Sequence, residues 1–150
     1  MTRMTAAQLL AEARARLERL TPTRVQAAAG TGALLVDIRS ELQRERGGVI
    51  PGSRFILRNV LEWRCDPASP WRENVIGETR AQLILICNQG YQSSLAAATL
   101  HQLGLVDATD VIGGFQAWRA AGLPVRPARR HPGTREKRSD HLRKDRYVEA

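Results

Sequence analysis

Short apolar runs recur along this chain at intervals that suit strands separated by helices. Strands buried on both faces of a parallel sheet have unbroken apolar sequences rather than alternating ones. Two runs, at 33–36 and 83–86, have this character, and shorter strands are predicted at 54–57 and 109–112. The pattern alone therefore predicts four strands, of which 83–86 is the central one.

Apolar residues at helical spacing predict helices between these strands. The first helix is expected from about residue 5 to 18 and begins with a capping box of Thr5 and Gln8. Further short helices are predicted at 25–29, 95–100 and 115–121, and the polar segment 58–81 is expected to be loop with one short helix. Strands that alternate with helices predict an α/β fold with a parallel sheet covered on both faces.

Composition bounds the size and setting of the protein. With 150 residues, 43% of them hydrophobic, the chain suits one globular domain with its own core. No apolar run approaches the roughly 20 residues that a membrane helix needs. The first twenty residues also lack the apolar stretch and cleavage pattern of a secretory signal. We therefore expect no membrane association and a cytoplasmic location.

The net charge of +8 is concentrated at the carboxyl end. Residues 126–150 contain nine basic and four acidic side chains, so +5 of the +8 lies there. A basic tail can bind nucleic acid through phosphate contacts. This tail has Tyr147 as its single aromatic residue, however, and so offers no ladder for base stacking. We expect a solvated, disordered tail, with nucleic-acid binding as the less favoured alternative.

Cys87 is the main candidate for chemistry. It directly follows the predicted central strand, and a polar turn containing Gly90 separates it from the next helical run. This order puts the sulfur among backbone N–H groups at the positive end of a helix. Such surroundings favour the thiolate, which is the nucleophilic form. Active sites of open parallel sheets also lie beyond the carboxyl ends of the strands, where Cys87 is expected.

Other reactive side chains are few. Cys65 lies in a polar, turn-like stretch, and we interpret it as incidental; the alternative is a resolving partner for Cys87. Two cysteines so far apart form neither a disulfide framework nor a zinc motif. None of His101, His131 and His141 is placed as a base for Cys87. We therefore predict neither a Cys-His protease nor a metal site, and no cofactor.

Four stretches together resemble the rhodanese-like family. They are LVDIR at 35–39, GVIPGS at 48–53, CNQGYQS at 87–93 and GGFQAW at 113–118. One stretch alone is weak, whereas four in the family's order are specific. The resemblance implies a small three-layer α/β domain with a mostly parallel, five-stranded sheet flanked by helices.

The resemblance also divides the chain. It covers roughly 19–125, with a very short first strand expected near 19–21. The amphipathic helix at 1–18 precedes this domain, and the basic tail at 126–150 follows it. Whether the first helix packs on the domain or forms a dimer stays open, so the chain is expected to be a monomer or a homodimer.

Sulfur transfer is the activity that the resemblance implies. The family's cysteine attacks a sulfane sulfur donor such as thiosulfate or a persulfide, holds the sulfur as a persulfide, and passes it to a thiol or cyanide. Small-molecule donors and acceptors are therefore the expected partners. Cys87 matches the nucleophile, and the substrate-binding loop consists of Asn88, Gln89, Gly90, Tyr91, Gln92 and Ser93.

Two positions depart from the family's pattern. Gln92 stands where the family often has a basic residue, so the rim lacks a fixed positive charge and binding of an anionic donor should weaken. Arg58 or Arg64, from the long segment before the central strand, could supply charge instead. Val49 stands where the family often has histidine, which we interpret as a structural position.

Asp37 and Arg39 have two interpretations. They end the strand beside the expected site and could shape the electrostatics of its rim. We favour the structural alternative, in which Asp37 accepts backbone hydrogen bonds in a turn and Arg39 pairs with a nearby acid. Trp118 is interpreted as a core residue.

Two further functions compete with sulfur transfer. One is a rhodanese-like module kept for binding or regulation without turnover, which Gln92 keeps open and the intact Cys87 opposes. The other is phosphatase or arsenate reductase chemistry. That chemistry needs an arginine six positions after the cysteine to clamp the oxyanion, and this position is Ser93.

Overall fold

The computed structural model describes residues 2–78 and 80–129. Within them, four strands form one parallel sheet in the spatial order β2-β1-β3-β4. The strands are β1 Leu34–Asp37, β2 Arg54–Phe55, β3 Leu83–Ile86 and β4 Thr109–Asp110. The helices are α1 Ala6–Ala15, α2 Pro22–Gly30, α3 Glu41–Gly47, α4 Leu61–Cys65, α5 Asn74–Glu78, α6 Gln92–Gln102 and α7 Gly114–Ala120, with a 3-10 turn at Arg58–Val60.

Strand β3 is the centre of the fold. All four of its residues are buried, and it pairs with β1 along its whole length. Its side chains alternate between two apolar cores. Leu83 and Leu85 belong to the core that α4 and α6 cover, whereas Ile84 and Ile86 belong to the core that α2 and α7 cover. The unbroken apolar run thus reflects burial on both faces, and the predicted three-layer α/β fold is confirmed.

The predicted count of five strands is wrong by one. Where the first strand was expected, Leu20 forms only an isolated parallel bridge with Val111 among the described residues. The bridge consists of Leu20 N–H donating to Asp110 O at 3.1 Å and Ile112 N–H donating to Leu20 O at 2.9 Å. Pairing stops there because Pro22 has no N–H for a ladder and starts α2 instead.

Helix α3 was not predicted, and the segment 58–81 contains more helix than was predicted. The pattern predicted no helix at Glu41–Gly47, although Ser40 and Gln43 form a capping box there. Between β2 and β3 the chain forms a 3-10 turn and two short helices rather than one helix. Strands β2 and β4 each contain two residues, against the four that were predicted.

Helix α1 packs on the domain through α6. Its Thr5 and Gln8 form the predicted capping box, its Ala13 is buried, and Leu17 just beyond it contacts the α6 core. The division of the chain at residue 19 stays a prediction, and the predicted tail lies outside the described residues from Arg130 onward. No helix of residues 2–78 and 80–129 is long and apolar enough to cross a bilayer.

Candidate active site

Cys87 lies at the carboxyl end of β3, where its sulfur faces the start of α6. Its Sγ accepts a hydrogen bond from Gly90 N–H at 3.2 Å and another from Ser93 N–H at 3.4 Å. Ser93 is the second residue of α6, so the helix dipole adds positive potential at the sulfur. Cys87 is buried, with 6% of its surface exposed, so these interactions are shielded from water.

A side-chain hydroxyl completes the surroundings of the sulfur. Ser93 Oγ lies 3.2 Å from Cys87 Sγ and 2.8 Å from Asp110 Oδ2. In this arrangement the thiol donates to Ser93, and Ser93 donates to the carboxylate. A hydroxyl has one proton and two lone pairs, so Ser93 can turn and donate to the sulfur when the thiol proton leaves. Ser94 then still donates to Asp110 Oδ2, at 2.7 Å.

Two arginines hold the other side of the loop. Arg19 forms an ion pair with the fully buried Asp110, with Nε 2.8 Å from Oδ1, and its Nη2 donates to Gly90 O at 3.0 Å. Arg14 of α1 donates to the same carbonyl at 2.7 Å and to Ser94 Oγ at 3.2 Å. The carbonyl of Gly90 therefore points toward the guanidinium groups while its N–H points toward the sulfur.

Two N–H groups of α7 donate hydrogen bonds to carbonyl groups at the start of the Cys87 loop. Phe115 N–H donates to Cys87 O at 2.8 Å, and Gln116 N–H donates to Asn88 O at 3.1 Å. The backbones approach so closely that a Cβ on Gly114 would lie 2.5 Å from Cys87 O. A side chain at that position would displace the loop, which explains why a glycine precedes Phe115.

The rest of the loop faces solvent. Gln89, Tyr91 and Gln92 are exposed, and the Asn88 side chain accepts a hydrogen bond from Gln116. Gln92 also lines a cleft of about 580 Å³ at the carboxyl edge of the sheet. The other lining residues are Ile38, Ser40, Gln43, Leu57, Arg58, Asn59 and Leu95.

The candidate rim residues Asp37 and Arg39 are buried instead of lining the cleft. They form an ion pair with a shortest distance of 2.8 Å, and both side chains are 0% exposed. Arg39 also donates to Gly48 O and stacks 3.7 Å from the centre of the Phe115 ring. These are the contacts of the structural interpretation, with Arg39 paired to Asp37 itself.

Of the two candidate rim arginines, only Arg58 lines the cleft. Its guanidinium pairs with Glu62, one helical turn further on, which offsets its charge. Arg64 pairs with Glu73 and donates to Trp71 O, and it is not among the residues that line the cleft.

The other predicted positions lie in the interior or elsewhere. Val49 is 3% exposed, and its backbone pairs with that of Arg126. Trp118 is 3% exposed in the core that α2 and α7 cover. His101 Nε2 lies 2.7 Å from Ala108 O, and the other two histidines are outside the described residues. No three His, Cys, Asp or Glu side chains within residues 2–78 and 80–129 are arranged to hold a metal ion.

Cys65 is buried in the core and free of any disulfide. Burial, and to a lesser degree the nearby Glu62 carboxylate, raises the pKa of this thiol from 9.0 to about 12. The thiol therefore stays protonated near neutral pH and is a poor nucleophile. This opposes the alternative in which Cys65 resolves an oxidised Cys87.

The raised pKa of Cys65 predicts a loss of stability at high pH. Between pH 9 and 12 the unfolded chain ionises this thiol while the folded chain keeps the proton, so the free energy of unfolding falls as pH rises. From about pH 9 to 10.5 the loss is about 2 kcal/mol. Urea unfolding at about pH 8 and 10.5 should show this extra loss in wild type and not in Cys65→Ala. Equal losses in both proteins would mean that the thiol ionises normally in the folded state.

The network of Arg14, Arg19, Ser94 and Asp110 was not predicted from the sequence. Two signals were present. Arg14 lies four residues after Leu10 and three before Leu17, which places a charge on the packed face of α1. Asp110 lies in a predicted buried strand, where an acid needs a partner.

These features define the class of the protein. A cysteine follows the central strand of a three-layer α/β domain. The first residues of α6 and α7 donate hydrogen bonds to this cysteine and to the loop that follows it. The chain belongs to the rhodanese-like family, whose model, the Rhodanese-like domain, matches residues 21–121. The family resemblance in the sequence is thereby confirmed.

Individual proteins are similar to this chain in sequence and in structure. Thiosulfate sulfurtransferase GlpE of Pseudomonas aeruginosa is 33% identical over 103 residues, covering 69% of this chain and 84% of that protein. A protein of unknown function from Rhodopseudomonas palustris, named as a possible tyrosine phosphatase, superimposes with a TM-score of 0.76 at 34% identity, covering 84% of this chain and 97% of that one. A rhodanese-related protein from Thermoplasma volcanium gives a TM-score of 0.56 at 26% identity, covering 71% and 95%.

Proposed function

We propose that this protein is a sulfurtransferase in which Cys87 carries the transferred sulfur as a persulfide. One observation carries the proposal: Cys87 Sγ accepts hydrogen bonds from the N–H groups of Gly90 and Ser93 and lies 3.2 Å from Ser93 Oγ. These donors stabilise negative charge on sulfur, both on the thiolate and on the persulfide that follows it. The name and the 33% identity of the thiosulfate sulfurtransferase from Pseudomonas aeruginosa support the same activity.

The reaction consists of two displacements at sulfur. In the first, the Cys87 thiolate attacks the outer sulfur of the donor, and the donor's sulfur bond breaks. With thiosulfate, sulfite leaves with the electron pair, and Cys87 holds the outer sulfur as a persulfide anion. In the second, a thiolate or cyanide attacks that outer sulfur, the bond to Sγ breaks, and the Cys87 thiolate returns. No outside oxidant or reductant is consumed, and each step needs only the ionised nucleophile.

Cys87 is not among the residues that line the cleft beside Gln92, and we propose this neighbouring cleft as the approach to the sulfur. Its lining favours donors and acceptors with an uncharged or organic body. Its polar lining consists mainly of neutral groups, namely Ser40, Gln43, Asn59 and Gln92. Its one basic residue, Arg58, is already paired with Glu62. A small dianion such as thiosulfate finds little uncompensated positive charge there, whereas an organic persulfide or thiol can use the amide groups. The proposed preference is therefore for an organic persulfide over thiosulfate.

The competing functions are less well supported. A binding module without turnover would not need Gly90 and Ser93 aimed at the sulfur. Phosphatase chemistry is suggested by the name of the Rhodopseudomonas palustris relative. Here, however, the two arginines near the loop contact Gly90 O rather than the sulfur side, and Ser93 replaces the oxyanion-clamping arginine. Release of phosphate from an aryl phosphate that requires Cys87 would favour the phosphatase alternative.

Intact-mass analysis tests the proposal directly. The protein is treated with thiosulfate or glutathione persulfide, the excess donor is removed, and the mass is measured by mass spectrometry. The mass is measured again after treatment with cyanide. We expect the intact mass to rise by one sulfur, peptide mass analysis after digestion to place that sulfur on the peptide containing Cys87, and cyanide to remove it as thiocyanate. A folded protein that gains no sulfur from either donor would contradict the proposal and favour the binding-module function.

Adding a charge at Gln92, the sixth residue counted from Cys87, should improve the use of thiosulfate. Gln92→Arg adds a guanidinium to the wall of the cleft, where one charge-assisted hydrogen bond to a dianion is worth about tenfold in affinity. We therefore expect the KM for thiosulfate to fall about tenfold, with little change for glutathione persulfide. Steady-state turnover with both donors measures this. The matched control is Gln89→Arg, which adds the same charge to an exposed loop residue that does not line the cleft. Equal effects of the two variants would mean that the charge acts at long range rather than in the cleft.

A further inference from the structure

We propose that Arg14 is a positioning residue for the Cys87 loop and places a positive charge behind it. This inference rests on the proposed function only in assuming that Cys87 is the nucleophile. Arg14 belongs to α1, which lies outside the matched family region of residues 21–121. The helix that precedes the matched region would therefore be a functional part of the site.

The geometry of Gly90 carries the positioning argument. Gly90 has a φ of +84°, and a Cβ there would lie 2.8 Å from Gly113 N, so the residue is held in a conformation that suits glycine. On one side its N–H donates to Cys87 Sγ at 3.2 Å. On the other side its carbonyl accepts from Arg14 Nη2 at 2.7 Å. Fixing the carbonyl fixes the residue, and so aims the N–H at the sulfur.

The charge balance distinguishes Arg14 from Arg19. Arg19 contacts the same carbonyl, but Asp110 pairs with it through both carboxylate oxygens, at 2.8 and 3.2 Å. Among the described residues, no carboxylate forms an ion pair with Arg14, whose recorded partners are Gly90 O, Ser94 Oγ and the ring of Tyr91 at 5.6 Å. One net positive charge thus remains directly behind the loop. Because Arg14 is partly buried, water screens this charge less than it would screen an exposed one.

Alkylation of Cys87 measures the effect without any sulfur donor. The thiolate reacts with iodoacetamide and the thiol does not, so the rate at neutral pH reports the ionised fraction and the access to the sulfur. Cys65 is 0% exposed and its thiol stays protonated near neutral pH, so it does not compete. We expect Arg14→Gln to slow alkylation at pH 7 about fivefold to tenfold and to move the midpoint of the pH profile upward. Arg14→Lys keeps the charge but loses the guanidinium group, whose two nitrogens bind Ser94 Oγ and Gly90 O together. The alkylation rate of this variant should therefore lie between those of Arg14→Gln and wild type.

The control variant is Arg16→Gln, which removes the same charge from an exposed position near the end of the same helix. It should leave the alkylation rate within twofold of wild type. If Arg14→Gln also stays within twofold, or if Arg16→Gln slows the rate equally, the inference is overturned. If Arg14→Gln unfolds, Arg14→Met, which retains the packing of the side-chain stem, is measured in its place against the same limits. A protein that alkylates as expected but never accepts sulfur would leave this inference standing and the proposed function refuted.

Discussion

Replacing Cys87 by serine is expected to lower sulfur transfer by at least about three orders of magnitude, because the hydroxyl does not ionise near neutral pH and cannot form a persulfide. Serine is close to cysteine in size, and Gly90 and Ser93 can donate to its oxygen as they do to Sγ. The fold should therefore be unchanged. Thiocyanate formation from thiosulfate and cyanide gives the rate, and intact mass gives the persulfide, which should be absent.

The matched control for this variant is Cys65→Ala. Cys65 is fully buried, and its thiol stays protonated near neutral pH, so it has no part in either displacement. Cys65→Ala should retain transfer within about twofold per folded molecule while losing some stability to the small cavity it leaves. Persistent turnover in Cys87→Ser, or loss of turnover in folded Cys65→Ala, would show that Cys87 is not the nucleophile.

The local part of the site was predictable from the sequence because its signals are contiguous. An apolar strand, a cysteine, a turn with Gly90 and a helical run follow one another within about twenty residues, and hydrogen bonds over that range depend mainly on local conformation. The structure adds what the pattern could not supply, namely which N–H groups reach the sulfur. Those of Gly90 and Ser93 do.

The rest of the site was not predictable in this way because it depends on contacts across the chain. Arg14 and Arg19 meet Gly90 from 76 and 71 residues away, and Arg19 meets Asp110 from 91 residues away. A charge on a packed helix face shows that a partner exists without showing which one. The additional strand predicted near residues 19–21 does not form, for a local reason: Pro22 ends the pairing after Leu20.

Disrupting the buried ion pair of Asp37 and Arg39 has the largest expected effect on stability. Asp37→Asn is expected to reduce the free energy of unfolding by about 3–5 kcal/mol, because it leaves the Arg39 guanidinium buried without a carboxylate. One Arg39 nitrogen, Nη1, already lacks a hydrogen-bond partner among the described residues, so the site has no spare acceptor. Arg44, the second cation on Asp37, is 20% exposed and can turn toward water. Urea unfolding measures the change.

Two control variants test whether the unpaired buried charge causes the loss of stability. Glu73→Gln makes the same acid-to-amide change in the partly exposed pair with Arg64 and should cost less than about 1 kcal/mol. Adding Arg39→Met to Asp37→Asn removes the unpaired charge, so the double variant should be more stable than Asp37→Asn alone, even though it carries one more substitution. A double variant that is less stable would show that Arg39 contributes mainly through Gly48 and Phe115.

The same variants distinguish the structural role of Asp37 from a role at the rim of the site. Its side-chain contacts are with Arg39 and Arg44, and none of them reaches Cys87. Below the unfolding transition, Asp37→Asn should therefore transfer sulfur at close to the wild-type rate per folded molecule, with an unchanged KM for thiosulfate. A rim carboxylate would instead repel a dianion, so its removal would lower that KM. A lower KM in folded Asp37→Asn would thus return Asp37 to the active site and would require the loop to move relative to β1.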